Sequence, residues 1–284
     1  MFRKRDYLLS VLSIAFPCLL GIFAMHTNNI SAAIWLRNIS AILLLGITTF
    51  LFARYTRHDI KLNAKGTICI AILLLLATFF EEGIEGVHRW VSISAVSLNV
   101  SMAVIPIAIF AIYHLLKSKE LMFSVVGILS ISLILFFQPD ASQLTGFAFA
   151  MLFCLFDKDN AKTTNTVSKI LISGALAVLT ILSWKFLDEI QPVDYIEGIL
   201  SMLGGVSSAL YIIGMLAVLL IPVPLLMFPF QNIKGLSVCI AVYYWAITFS
   251  TFWGNFPVPF MGYGLSPIIG YFIVLTFFMK CKVS

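Results

Sequence analysis

The side chains able to do chemistry gather in four short segments that interrupt long apolar stretches. The first, residues 81–99, carries Glu81, Glu82 and Glu85 ahead of Arg89 and Trp90. A guanidinium can grip a phosphate as a planar fork, and an indole sits well at headgroup level; the same pair also serves simply to mark a membrane boundary. The second is Gln138, Pro139 and Asp140, where the proline stops one helix and the carboxylate can cap the next. The third holds Asp188, Glu189, Asp194 and Glu197 in ten residues. Such a carboxylate, with a cation nearby, can act as general base or metal ligand; the alternative is a solvated connector. Lys185 is the adjacent cation, and Asp194 and Asp188 are the candidate bases. The fourth, Asn255 to Pro267, has three prolines and two glycines. Broken backbone of this kind is tolerated at membrane depth only where protein or a cavity surrounds it, which makes Pro259, Tyr263 and Gly264 candidate cavity residues. Arg37 joins the set: about six residues from the outer end of its span, it can snorkel and avoid the roughly 2.5–3.5 kcal/mol cost of a mid-bilayer charge.

The elements that position these segments follow from composition. Of 284 residues, 61% are hydrophobic and 11% charged, with a mean hydropathy of +1.03. So few polar residues cannot cover a water-soluble surface of this size. The apolar runs are continuous, which disfavours a β-barrel, and an all-α integral membrane protein remains. Runs long enough to cross about 30 Å of hydrocarbon predict ten spans, near residues 7–25, 31–54, 66–80, 100–116, 121–137, 141–156, 169–187, 200–229, 235–253 and 263–280. The third and sixth are short. Residues 81–99, too polar to span and too apolar to float free, read as an interfacial or re-entrant outer loop, and the whole chain as a single polytopic domain, 1–284. The first span has no small-residue cleavage site after it and reads as a retained anchor.

With the N-terminus inside, 15 of the 18 Lys and Arg residues fall on the cytoplasmic side, which predicts an even number of spans with both termini cytoplasmic. Eight of the 13 acids fall on the outer side, among them all those in the four segments. The net charge of +5 needs no nucleic acid to explain it. The five cysteines, at 18, 69, 154, 239 and 281, form no CxxC pair and have no zinc-ligand spacing with histidine. Neither a GxGxxG sequence nor a P-loop is present.

Taken in order, the segments resemble motifs of the SEDS family, the FtsW/RodA-like membrane proteins of cell division and cell shape. Gly86, Arg89 and Trp90, then Asn99 to Met102, resemble the family's Gly, Arg-Trp and Gln-Pro-Ser-Glu run. Gln138, Pro139 and Asp140 are similar to its Gln-Pro-Asp, and Val193 to Ile196 to its Thr-Asp-Phe-Ile. Val258 to Ser266 is similar to its Leu-Pro-Phe-x-Ser-Tyr-Gly-Gly-Ser, and Arg37 matches a cation early in the second helix. The sequence departs from the pattern at Met102 and Leu265, and by the shortness of the interval from Asp188 to Ile199, where family members carry a large loop with the catalytic aspartate. The resemblance covers about residues 30–280. It implies a multi-pass protein of the bacterial inner (cytoplasmic) membrane, with an extracytoplasmic site for a polyprenyl-pyrophosphate-linked glycan such as lipid II, and a single-pass transpeptidase partner in peptidoglycan synthesis.

On that expectation Arg37, Arg89, Trp90, Gln138, Asp140, Pro259, Tyr263 and Gly264 bind the lipid-pyrophosphate or glycan, and Asp194 or Asp188 is the base. Glycosyl transfer from a pyrophosphate needs positive charge on the leaving group. Three outer cations against eight carboxylates would call for Mg²⁺ or Mn²⁺ if transfer occurs; otherwise no cofactor is expected. Three functions stay open: a glycosyltransferase using a lipid-linked donor, a non-catalytic scaffold of an envelope complex, and a lipid or solute transporter. The last is disfavoured because no ionisable group falls at mid-membrane, where proton relays need one.

Overall fold

The computed structural model describes residues 4–56, 60–93, 96–158, 160, 165–188, 190–227 and 234–280. Arg3, Arg57, His58, Asp59, Asp159, Lys162, Glu189, Cys281, Lys282 and the end of the span expected at 200–229 lie outside the described residues.

Of the described residues, 75% are helical. In order come α1 (Lys4–Thr27), α2 (Ala32–Tyr55), α3 (Ala64–Ala77) with a 3₁₀ turn Thr78–Phe80, β1 (Trp90–Ile93) and β2 (Val96–Asn99). Then follow α4 (Val100–Lys117), α5 (Leu121–Phe137), α6 (Ala141–Phe156), α7 (Thr166–Lys185), α8 (Ile199–Val206), α9 (Ser208–Leu219), α10 (Val223–Met227), α11 (Lys234–Ser250) and α12 (Leu265–Lys280). Among the described residues, five stretches are long and apolar enough to cross a membrane: α1, α2, α4, α7 and Ser208–Met227; α3, α5, α6 and α12 are shorter apolar helices. Large side chains such as Leu43, Leu44, Ile170, Leu171 and Ile181 point outward, as they do when lipid is the solvent.

Local chemistry sets several helix starts. Asn63, Asn99, Asp140 and Asn165 each accept a hydrogen bond from the backbone N–H three residues on, at 2.7–3.3 Å, satisfying a donor that the first turn leaves free. Asp140 is thus the cap that its place after Pro139 suggests.

Two elements differ from the sequence expectation. The span expected over 200–229 is broken into α8, α9 and α10. Gly204 and Gly205 weaken its first turns, and Ser207 is extended (φ −165°, ψ 139°), its hydroxyl accepting from Ala209 N–H at 3.2 Å; Pro222 and Pro224 flank the second break. The loop 81–99 contains an antiparallel hairpin, Trp90 opposite Asn99 and Ser92 opposite Ser97, preceded by a bridge between Ile84 and Val87.

The core is built around α4, which packs against α3, α5, α6, α11 and α12. Helices α6 and α11 share the most extensive interface, where Gln143 Oε1 accepts from the Tyr243 hydroxyl at 2.6 Å and the Cys154 and Cys239 sulfurs lie 3.1 Å apart. Small residues allow the closest approaches. Gly270 of α12 lies against the Met102 and Ala103 carbonyls of α4, where a β-carbon would overlap Met102 O; around Gly174 of α7 the space is open. Gly270→Ala is therefore expected to cost about 1–3 kcal/mol, seen as a lowered Tm in detergent, with Gly174→Ala close to neutral; equal effects would refute this packing.

Candidate functional site

All four chemically endowed segments meet at one end of the bundle. Arg89, which opens the hairpin and is 4% exposed, is the hub. Its Nη2 donates to the Asp188 carboxylate and to the Pro139 carbonyl, and its Nε lies 3.9 Å from Asp140 Oδ2. One side chain thus ties the hairpin to the α5–α6 joint and to the loop after α7. Ser101 Oγ bridges the two nearby caps, 2.6 Å from Asn99 Oδ1 and 2.9 Å from Asp140 Oδ2. Burial raises the Asp140 pKa, and the opposing pull of Arg89 and of the hydrogen bonds from Ser101 and Gln143 does not cancel it.

A second set of bonds holds the turn-rich segment before α12. Arg37 Nη1 donates to the Tyr263 hydroxyl at 2.9 Å. Beside it, the buried Asn38 donates to Gly262 O at 3.0 Å and accepts from Gly264 N–H at 3.3 Å. Tyr263 N–H donates to Tyr195 O at 2.9 Å, and Val258 N–H to Ile196 O at 3.4 Å. The irregular backbone is satisfied by protein, as its position requires.

Between these sets lies a cleft of about 530 Å³, walled by the hairpin, the α5–α6 joint, Asp188, residues 190–193, Ile196, Glu197 and residues 255–257. Arg89, Trp90, Asp140 and Asp188 line it. Next to it, a cavity of about 150 Å³ is lined by Pro259, Tyr263 and Gly264, and Trp90, Asn99, Ile196 and Glu197 contribute to both. No protein-family model matches the chain, and no curated protein is similar to it in sequence. Function therefore has to be read from the cleft itself.

The structure separates the expected site residues. Gln138 is fully buried away from the cleft, its amide donating to Leu75 O at 2.9 Å and Thr78 Oγ1 at 2.8 Å, so it fastens the end of α3. Of the two candidate bases, Asp188 is engaged by Arg89, and Asp194 is exposed and outside the cleft lining. Glu197, three residues further on, does line the cleft; it accepts from Val193 N–H at 2.8 Å, and burial raises its pKa. Sequence reasoning names Glu197 among the acids of its segment and Asn99 and Ser101 within a motif, but selects none of them, nor Asn38, as a site residue. Only Asn38, next to Arg37, and Asn99 and Ser101, at the start of a helix, carry a local signal. Among the described residues no group of three or more His, Cys, Asp or Glu side chains converges to hold a metal ion.

Removing Arg89 strands buried carboxylates. Arg89→Ala is expected to cost about 3–5 kcal/mol, and Arg89→Ala with Asp188→Asn less than the sum of the two single changes; strict additivity in thermal unfolding would refute the pairing. Glu197 gives a pH signature. Because its folded pKa lies above the unfolded value, its contribution favours the fold fully below about pH 4.5 and is lost as pH rises through the folded value. Its carboxyl infrared band, assigned with Glu197→Gln, is expected to titrate above the ordinary glutamate range.

Proposed function

We propose that this is a SEDS-like protein of the bacterial inner membrane whose cleft binds the glycan of a polyprenyl-pyrophosphate-linked lipid on the extracytoplasmic side. The observation that carries the reading is the convergence of residues 81–99, 138–140, 188–197 and 255–267, the segments similar to SEDS motifs, on one cleft and its adjoining cavity. The lining suits a sugar: Trp90 offers an apolar face, and Ser92, Ser97, Asn99, Gln191 and Asn255 offer hydroxyl and amide partners.

Binding is favoured over transfer. One candidate base is held in an ion pair and the other stands outside the cleft, and the Arg89 charge is opposed by Asp188 and Asp140 rather than left for a departing pyrophosphate. The protein then acts as a glycan-lipid-binding scaffold, with a single-pass transpeptidase as the partner that the resemblance implies. Native mass spectrometry in nanodiscs is expected to show binding of lipid II but not of undecaprenyl pyrophosphate, weakened at least tenfold by Trp90→Ala. Equal binding of both lipids would overturn the reading. Polymer formed from fluorescent lipid II, with or without Mg²⁺, and abolished by Glu197→Gln would make the protein an enzyme.

Ten spans with both termini cytoplasmic complete the proposal, counting α8 to α10 as one broken span. Support comes from the cation distribution and from the four segments sharing one end. In a cysteine-free background, Glu85→Cys is expected to react with impermeant maleimide on intact cells, and Lys119→Cys only after lysis; the reverse pattern would invert the topology.

A further inference from the structure

The charge of the cleft restricts what can fill it. Among the described residues lining it, five carry carboxylates, Glu81, Glu82, Asp140, Asp188 and Glu197, and Arg89 alone carries a positive charge. Arg89 is engaged by Asp188 and faces Asp140, and no described cation lies within salt-bridge distance of Glu81, Glu82 or Glu197. Ionised carboxylates only accept hydrogen bonds, so the cleft asks for a donor. A second observation comes from its floor. Ser142, in the first turn of α6, is 2% exposed and lines the cleft, yet its Oγ has no hydrogen-bond partner. Buried hydroxyls are rarely left in that state in a completed site. Trp90, on the wall, presents the kind of ring face that attracts a cation.

We propose that the cleft selects a headgroup bearing a primary ammonium, received by Glu197 and the rim carboxylates Glu81 and Glu82, with Ser142 Oγ as a further partner at the floor. An ammonium has three donors and no acceptor, the complement of this lining, whereas an acetylated nitrogen is neutral and offers one donor. An ammonium is a compact charge with few direct acceptors, so the carboxylates beyond those it touches act through their charge. A bound ammonium also offsets the burial that raises the Glu197 pKa. The inference rests on the same cleft as the function proposed above and narrows its ligand. An unacetylated amino sugar on a polyprenyl carrier and an ethanolamine headgroup both present this chemistry.

The test measures binding in phosphatidylglycerol nanodiscs for two matched pairs. These are polyprenyl-diphospho-glucosamine against its N-acetyl form, and phosphatidylethanolamine against its N-acetyl form. The amine member of at least one pair is expected to bind at least tenfold more tightly, and the responding pair identifies the source. Glu197→Gln should abolish the preference. Glu81→Gln with Glu82→Gln, changes at the cleft rim, should reduce it without lowering Tm, which keeps the test decisive if the first variant folds poorly. Equal binding within both pairs, or a preference unmoved by the rim variant, would overturn the inference. Equal binding of both glycan lipids would do so while leaving glycan binding intact; a preference for phosphatidylethanolamine with no glycan binding would uphold the ammonium site and remove the glycan function.

Discussion

A buried guanidinium must be neutralised where it sits, and Arg89 imposes that constraint on this end of the molecule. At 4% exposure its charge is affordable only with partners in fixed positions. Those partners come from the chain 50 and 99 residues away, at Pro139 and Asp188. Satisfying one residue therefore brings the hairpin, the α5–α6 joint and the loop after α7 to a common point. The caps Asn99 and Asp140, bridged by Ser101, then fix the first turns of α4 and α6 relative to that point. The cleft is the space these elements leave.

The remaining wall depends on a different device. Residues 251–264 are not helical, and their polar backbone would be costly in a bundle without partners. Asn38 supplies a donor to Gly262 O and an acceptor to Gly264 N–H of that segment, and Tyr195 and Ile196 supply carbonyls. Gly262 is required here because a β-carbon would overlap the Ile196 carbonyl. The loop before α8 and the segment before α12 thus form one structure, which is why Glu197 and Tyr263 face the same cavity.

The apolar helices were legible because hydropathy is a property of contiguous residues, and the helix bounds fall within a few positions of those expected for α2, α4, α5, α6 and α12. The break at Ser207 was not, since a continuous apolar run conceals a change of backbone direction that two glycines permit. The hairpin had a signal in the aromatic and β-branched residues Trp90, Val91 and Ile93 and in the alternation of Val96, Ser97, Leu98 and Asn99, but such short runs inside a polar loop compete with an interfacial reading. The site was legible as segments and not as contacts. Arg37 and Tyr263 were singled out separately, and nothing in the sequence says that 226 positions apart they share a hydrogen bond. For the same reason Gln138 read as a ligand contact when its partner is the end of α3, and Glu197 was passed over in favour of Asp194.

The two ends of the bundle are chemically opposite, and the contrast bears on how a ligand would lie. At the far end Lys280 Nζ donates to Thr56 O at 2.6 Å and Lys65 pairs with Glu120 at 3.0 Å, so cations there meet helix ends and partners on neighbouring segments. At the cleft end carboxylates outnumber cations, and the buried cation Arg89 is matched. An anionic phosphate drawn into that cleft would meet Asp188 and Glu197 before it met an unopposed positive charge, and repulsion in a poorly solvated space is costly. A lipid-linked glycan is therefore better accommodated with its sugars in the cleft and its phosphates at the margin, where water and counterions screen them. Under the proposed function, that pose would leave the lipid tail in the bilayer and turn toward the protein the part that differs from one lipid-linked glycan to another.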